Sequence, residues 1–282
     1  MRLLAYAKVN LALEVGHRRP DGLHDLRGLF LSVDLADEIL LEPAEEDRLV
    51  VAGGAPADPA SNLAWRALEA ARRSTGDPTR WRLELTKRIP TKAGLGGGSA
   101  DAAAVLGALA GDLPAHEVAA VAVELGADVP FALVGGFARV AGIGEVVEPL
   151  PPVGGFALAV VVPPVELATG AVFRRFDELG GRGPEIPAWA LPPALRDHAP
   201  LRNDLYGAAC SLAPELDDWR RELEGRWGTP VAMTGSGAGL FAYFPTRDEA
   251  AAAVTEIPAG ARFAEACEPV ERGWIAASET ER

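Results

Sequence analysis

Apolar and polar positions alternate along this chain with two periods, two residues and about three and a half, and the switches between them mark a mixed α+β order. Residues 2–15 read as a strand, with Leu11, Leu13 and Val15 set against Ala12 and Glu14. A turn at 17–22 carries Pro20 and the Asp21-Gly22 pair. Strand patterns follow at 29–33, 38–41 and 48–52, and 53–60 reads as loop. Ser61 or Asn62 is placed to cap a helix running to about Arg73, because Leu63, Ala67, Leu68 and Ala71 share one face. Trp81, Leu83 and Leu85 alternate with Arg82, Glu84 and Thr86, which predicts a half-buried strand. It leads into a cluster of glycines and then an alanine-rich helical pattern, Ala100 to Leu109. A second helix, Ala115 to Leu125, ends at Gly126, and 135–141 reads as a strand.

The Pro/Gly-rich passage Pro149 to Gly155 is the best linker, and divides the chain into an N-terminal domain, 1–152, and a C-terminal domain, 153–282. In the second half an apolar strand at 157–162 precedes a helix at 169–177. Residues 178–200, crowded with Gly and Pro, read as a long surface loop. Helices at 204–212 and 214–224 follow. Then come a strand at 231–233, a turn at 234–237, a strand at 239–244, a helix at 247–256, a strand at 262–267 and a closing strand near Trp274.

The length of 282 residues is enough for two domains with cores of their own. A formal charge of -13 argues against a sequence-independent grip on nucleic acid or anionic lipid. The six tryptophans are scattered without the basic surroundings a stacking platform needs. Lys8 interrupts the first apolar stretch, and no run of about 18 apolar residues occurs, so the expectation is a cytoplasmic chain without a membrane segment. Cys210 and Cys267 lack Cys-x-x-Cys spacing and read as reduced thiols. His17, His116 and His198 lack metal-ligand spacing.

The candidate chemistry centres on Lys92-Ala93-Gly94-Leu95-Gly96-Gly97-Gly98-Ser99-Ala100-Asp101. Glycines at a strand-to-helix junction let an anion lie against the main chain, and the helix start offers free N–H groups and a positive dipole end. Ser99 is expected to cap that helix and to turn its hydroxyl toward a phosphate or its metal. The stretch is neither Gly-x-x-x-x-Gly-Lys-Ser/Thr nor Gly-x-Gly-x-x-Gly, so cation and proton acceptor must come from elsewhere. Lys8 lies in an apolar strand, where a buried ammonium calls for a partner, and Asn10 shares its face. Asp128 either forms a turn before Pro130 or serves the chemistry. Thr169 and Phe173 lie one helical turn apart.

Three stretches together resemble the superfamily of galactokinase, homoserine kinase, mevalonate kinase and phosphomevalonate kinase (GHMP kinases): Ala5–Leu13, Gly94–Ala104 and Thr234–Phe241. Ala7–Leu11, Arg19–His24, Lys87–Pro90, Leu125–Pro130 and Asn203–Leu205 are similar to the branch that phosphorylates the 2-hydroxyl of a cytidine diphosphate-linked sugar alcohol on the non-mevalonate route to isoprenoid precursors. That resemblance implies a two-domain GHMP kinase fold, with an N-terminal domain like the second domain of ribosomal protein S5 and a ferredoxin-like C-terminal domain. It implies ATP and Mg2+, with Asp128 as general base and Lys8 as its cationic partner. ATP would be held by residues 92–101 with Asn62 near the adenine, and Ser99 would meet the metal. The sugar alcohol would meet Asn10, the cytidine would meet Leu23, His24, Thr169 and Phe173, and the substrate diphosphate would lie near Thr234, Gly235, Ser236 and Gly237. A monomer or weak homodimer is expected. Another GHMP activity, of homoserine or mevalonate type, and a non-catalytic nucleotide-binding regulator are the alternatives. Two departures stand out: Leu23 occupies the place of a Tyr that stacks on cytosine, and Ser99-Ala100-Asp101 replaces Ser-Ser-Asn.

Overall fold

The alternation at the start of the chain folds into two long antiparallel strands, β1 (Arg2–Arg18) and β2 (His24–Ala44), in a computed structural model that describes residues 1–53 and 58–277. The middle of the expected 53–60 loop lies outside the described residues. The separate strands expected at 29–33 and 38–41 are one continuous strand. Its pairing with β1 shifts register between Tyr6 and Ala7, and such a bulge bends a strand without ending it. At the bend, Asp34 turns outward to accept the Glu268 N–H at 2.8 Å.

β3 (Arg48–Ala52) leads to α1 (Leu63–Thr75), whose first turn is capped by Asn62, and then to β4 (Arg80–Thr86). After the glycines come α2 (Gly97–Ala110), α3 (Ala115–Leu125), α4 (Val129–Val134) and β5 (Phe137–Gly142). The hairpin partner β6 (Val146–Pro149) was hidden by its short, exposed pattern. β2 pairs β5 through its first half and β4 through its second. The helices pack Ala64, Ala67, Leu68, Ala102, Ala103 and Val105 against Leu3, Ile39, Leu41, Leu83 and Leu85 of the sheet. The small alanines let α1 and α2 approach closely.

The second sheet has β7 (Ala157–Val162) at its centre. It is followed by α5 (Thr169–Leu179), β8 (Glu185–Ile186), β9 (Leu201–Arg202), α6 (Tyr206–Leu212), α7 (Glu215–Trp227), β10 (Ala232–Met233), β11 (Leu240–Phe244), α8 (Arg247–Thr255) and β12 (Phe263–Cys267). The order β10-β11-β7-β12, antiparallel throughout, is that of the ferredoxin-like motif. The final strand β13 (Trp274–Ala277) returns to pair β1, so the 153–282 segment contributes one strand to the first sheet.

Residues 178–200 are mostly exposed, as expected of a surface loop, but three of their apolar side chains anchor it in the core. Ile186, Leu191 and Leu195 are buried in the apolar cluster shared by the two sheets, together with Leu11, Leu31, Phe156 and Phe241. Proline spacing hides that burial, because two short 3-10 turns replace any regular period. No helix among the described residues is long and apolar enough to cross a membrane.

Candidate active site

The glycine loop is clamped from both sides through its carbonyls. Lys8 N–H of β1 donates to Leu95 O at 3.0 Å, and Gly239 N–H of the second sheet donates to Ala93 O at 3.1 Å. Gly94, at φ +71°, is where the two halves touch, since a Cβ there would lie 2.2 Å from Thr234 O. Gly96, at φ +70°, starts α2 and lies against the Lys8 stem, where a Cβ would come within 2.8 Å. Gly96 thus takes the N-cap place expected for Ser99. Ser99 stands in the first turn with its hydroxyl free of capping, on the wall of the cleft. An N-terminus without a side-chain cap, opening on the cleft, is suited to an anion.

That cleft has a volume of about 940 Å³, and its walls come from both sheets. On one side Lys8 is 6% exposed and its amine lies 3.4 Å from Asp128 Oδ2. The amine also donates to Asn10 Oδ1 and sits 5.2 Å from the Phe30 ring centre. Asp128 precedes α4 but makes no capping hydrogen bond. Asp128 does sit in the turn before Pro130, where Val129 N–H donates to Gly126 O at 3.0 Å, while its carboxylate faces Lys8 and the cleft.

Several expected contacts are structural instead. Thr234 is 0% exposed; it accepts the Asn10 N–H at 3.0 Å and donates to Gly94 O at 3.1 Å, so it aligns Asn10 with the loop from behind. Gly235, Ser236 and Gly237 line the cleft in its place. Ala100 is buried in the helical layer. The Asn62 side chain accepts from Ala64 and Trp65 N–H as a helix cap, and its neighbour Leu63 reaches the cleft. Lys92, at the rim, pairs with Glu166 at 2.7 Å and holds that carboxyl below the usual range.

Asp101 points into the protein, beneath the glycine loop. It shares the Lys87 ammonium with Asp37, whose Oδ1 also accepts Arg88 N–H at 2.6 Å and Ile89 N–H at 2.9 Å. Burial works against the Lys87 charge, yet the two carboxylates win and raise its pKa. Burial, reinforced by Asp37 and opposed by Lys87, pushes Asp101 up from 3.8 to about 8. Folding therefore takes up a proton at Asp101, and that stabilisation is complete below the unfolded value and lost as pH rises through about 8. The melting temperature of Asp101→Asn is expected to gain on wild type as pH rises from about 5 to about 8 and to gain no more above about 9. A gap independent of pH would remove the acid form from the cluster.

At the far end of the cleft, Leu23 is 48% exposed and His24 is 7% exposed. The His24 ring centre lies 5.2 Å from that of Phe173, and Thr169 Oγ1 lies 2.9 Å from Ser236 Oγ. Two residues absent from the expected set complete the arrangement. Asp177 Oδ1 lies 2.7 Å from His24 Nε2; its only sequence signal is helical spacing from Thr169 and Phe173. Asn203 donates to Met233 O at 2.9 Å and Gly235 O at 2.7 Å, fixing the turn beside the loop. Its neighbour Asp204 accepts the Val15 N–H at 3.2 Å, stitching the second half to β1.

Residues 62–136 match the model of the GHMP kinases N terminal domain. A 4-diphosphocytidyl-2-C-methyl-D-erythritol kinase of Symbiobacterium thermophilum is 37% identical, with 98% of each chain covered. Another from Thermus thermophilus is 40% identical over 93% of this chain and 94% of its own. A crystal structure of 4-(cytidine 5'-diphospho)-2C-methyl-D-erythritol kinase superposes with a TM-score of 0.77 at 38% identity, covering 95% of this chain and 99% of that one. A homoserine kinase from Cytophaga hutchinsonii shares the fold at a TM-score of 0.69 and 18% identity, over 98% of this chain and 96% of its own.

Proposed function

Because the chain belongs to the 4-diphosphocytidyl-2-C-methyl-D-erythritol kinases of the GHMP superfamily, we propose that it moves the γ-phosphoryl group of ATP onto the 2-hydroxyl of that substrate. One observation carries the reading: the buried Lys8 ammonium lies 3.4 Å from Asp128, and its stem packs on the glycine loop. A regulator that only sensed nucleotide would need neither charge.

The loop fits a nucleoside triphosphate, because Gly96, Gly97, Gly98 and Ser99 line the cleft and the α2 start carries no side-chain cap. The N–H groups of Gly97, Gly98 and Ser99 would hold the phosphates, the Ser99 hydroxyl would ligate Mg2+, and Lys92 would reach the phosphates from the rim on leaving Glu166. When bound, ATP supplies the phosphoryl group and Mg2+ neutralises the charge on its oxygens. Asp128 Oδ2 accepts the proton of the 2-hydroxyl as general base. Lys8 balances the carboxylate and orients Asn10, which holds the alcohol chain. His24, Phe173, Thr169 and Leu23 receive the cytidine, with Leu23 offering an apolar face but no ring.

The test is a coupled ADP-release assay on a panel containing the cytidine diphosphate-linked alcohol, homoserine and mevalonate. Turnover confined to the first is expected. Faster turnover of either of the others, or of none, would overturn the assignment.

A further inference from the structure

His24 is held as few surface histidines are. Its ring is buried to 7% exposure, set between Phe173 at 5.2 Å and the edge of Phe176 at 6.3 Å. Its Nε2 lies 2.7 Å from Asp177 Oδ1. Asp177 belongs to α5 and His24 to the start of β2, so this bond spans the mouth of the cleft between the two sheets. Arg18 lies 3.8 Å away on the Oδ2 side, which leaves Oδ1 to the histidine.

An ionised carboxylate can only accept. In the neutral imidazole, Nε2 must therefore carry the proton, and Nδ1 is left as an acceptor. The ring packs against two phenylalanines, and its bond to Asp177 favours the orientation that presents Nε2 to the carboxylate. Among the described residues Nδ1 has no protein partner, and His24 lines the cleft. An acceptor at that place matches a pyrimidine with a 4-amino group, which donates. It mismatches a 4-oxo pyrimidine, which presents a second acceptor.

We propose that Asp177 is a specificity-determining positioning residue: by fixing the Nε2–H tautomer of His24, it makes the site select cytosine over uracil. The inference rests on the cytidine-linked substrate assigned above. It also accounts for how the base is read with Leu23 where a stacking ring would stand. Recognition then depends less on the face of the base than on its polar edge.

The test compares kcat/KM for the cytidine diphosphate-linked alcohol and its uridine counterpart in the wild type, Asp177→Asn and Asp177→Leu. The Asn side chain has the same shape but can offer Nε2 either an acceptor or a donor, so the tautomer is no longer dictated. The cytidine preference is expected to fall about tenfold or more in both variants, through KM, with kcat within about twofold of wild type. In parallel, 15N NMR of His24 is expected to show an unprotonated Nδ1 in the neutral wild-type ring and a mixture of tautomers in the Asn variant. An unchanged base preference with an unchanged tautomer would overturn the role of Asp177 while leaving the kinase assignment intact. A wild type inert toward the cytidine substrate would instead remove both.

Discussion

Asp128→Asn is expected to lower kcat by about 10² or more with little change in either KM, the loss that follows when a positioned general base can no longer take a proton. Asn keeps the shape and leaves the backbone of α4 undisturbed, since Asp128 makes no capping hydrogen bond there. Lys8 would keep its bond to Asn10 and its place beside Phe30, so the fold should hold. Single-turnover measurement of phosphoryl transfer separates this loss from slow product release. A variant turning over near the wild-type rate would take the carboxylate out of the mechanism and leave the kinase with positioning alone. The KM values matter as much as kcat, because a rise in KM for the alcohol would mean that Asp128 binds substrate instead of activating it.

How much of this was legible beforehand depends on whether the signal was local. The glycine stretch, the lone lysine in an apolar strand and the Asp before Pro130 were readable, because each violates the pattern around it for a chemical reason. That Lys8 and Asp128 meet is a matter of topology: they stand 120 residues apart, and α4 is brought to β1 by packing on α2 and by Phe131 against Phe30 of β2. Ser99 was misplaced by three residues because serine is the commoner cap, whereas the chain here needs a left-handed residue at Gly96 to clear Lys8. The family resemblance puts Asp101 in the stretch expected to hold ATP. Helical geometry turns it inward, since residues on successive sides of α2 face the cleft and the core by turns. The 178–200 segment was readable as a loop, but not the burial of its Ile186, Leu191 and Leu195, because these apolar residues follow no period. Asn203 and Asp204 show the same limit, since their partners Gly235 and Val15 are fixed by the meeting of the two halves.

Lys87→Met is expected to destabilise the fold by about 3–5 kcal/mol, the usual cost of removing one partner from a buried ionic cluster. The ammonium is 3% exposed and serves two carboxylates that have no route to water, Asp37 at 0% and Asp101 at 3%. Without it, Asp37 keeps two backbone N–H donors, from Arg88 and Ile89. Asp101 has no such support, and its Oδ1 lacks a partner among the described residues, so above about pH 8, where it ionises beside the ammonium in the wild type, it must keep its proton or push the helix outward. The two sites should therefore couple: adding Asp101→Asn to Lys87→Met should return part of the lost stability, although Asp101→Asn alone leaves the ammonium with Asp37. Urea unfolding of the four proteins measures the coupling directly. Additive losses would mean that Asp101 and Lys87 do not share a charge. Because Asp101 and Gly97 lie in the first turns of α2, the same substitution should raise the KM for ATP through displacement of the phosphate-facing amides. A variant that loses stability yet keeps its ATP affinity would locate the cluster in the fold alone, and would leave the glycine loop held only by Lys8 N–H, Gly239 N–H and Thr234.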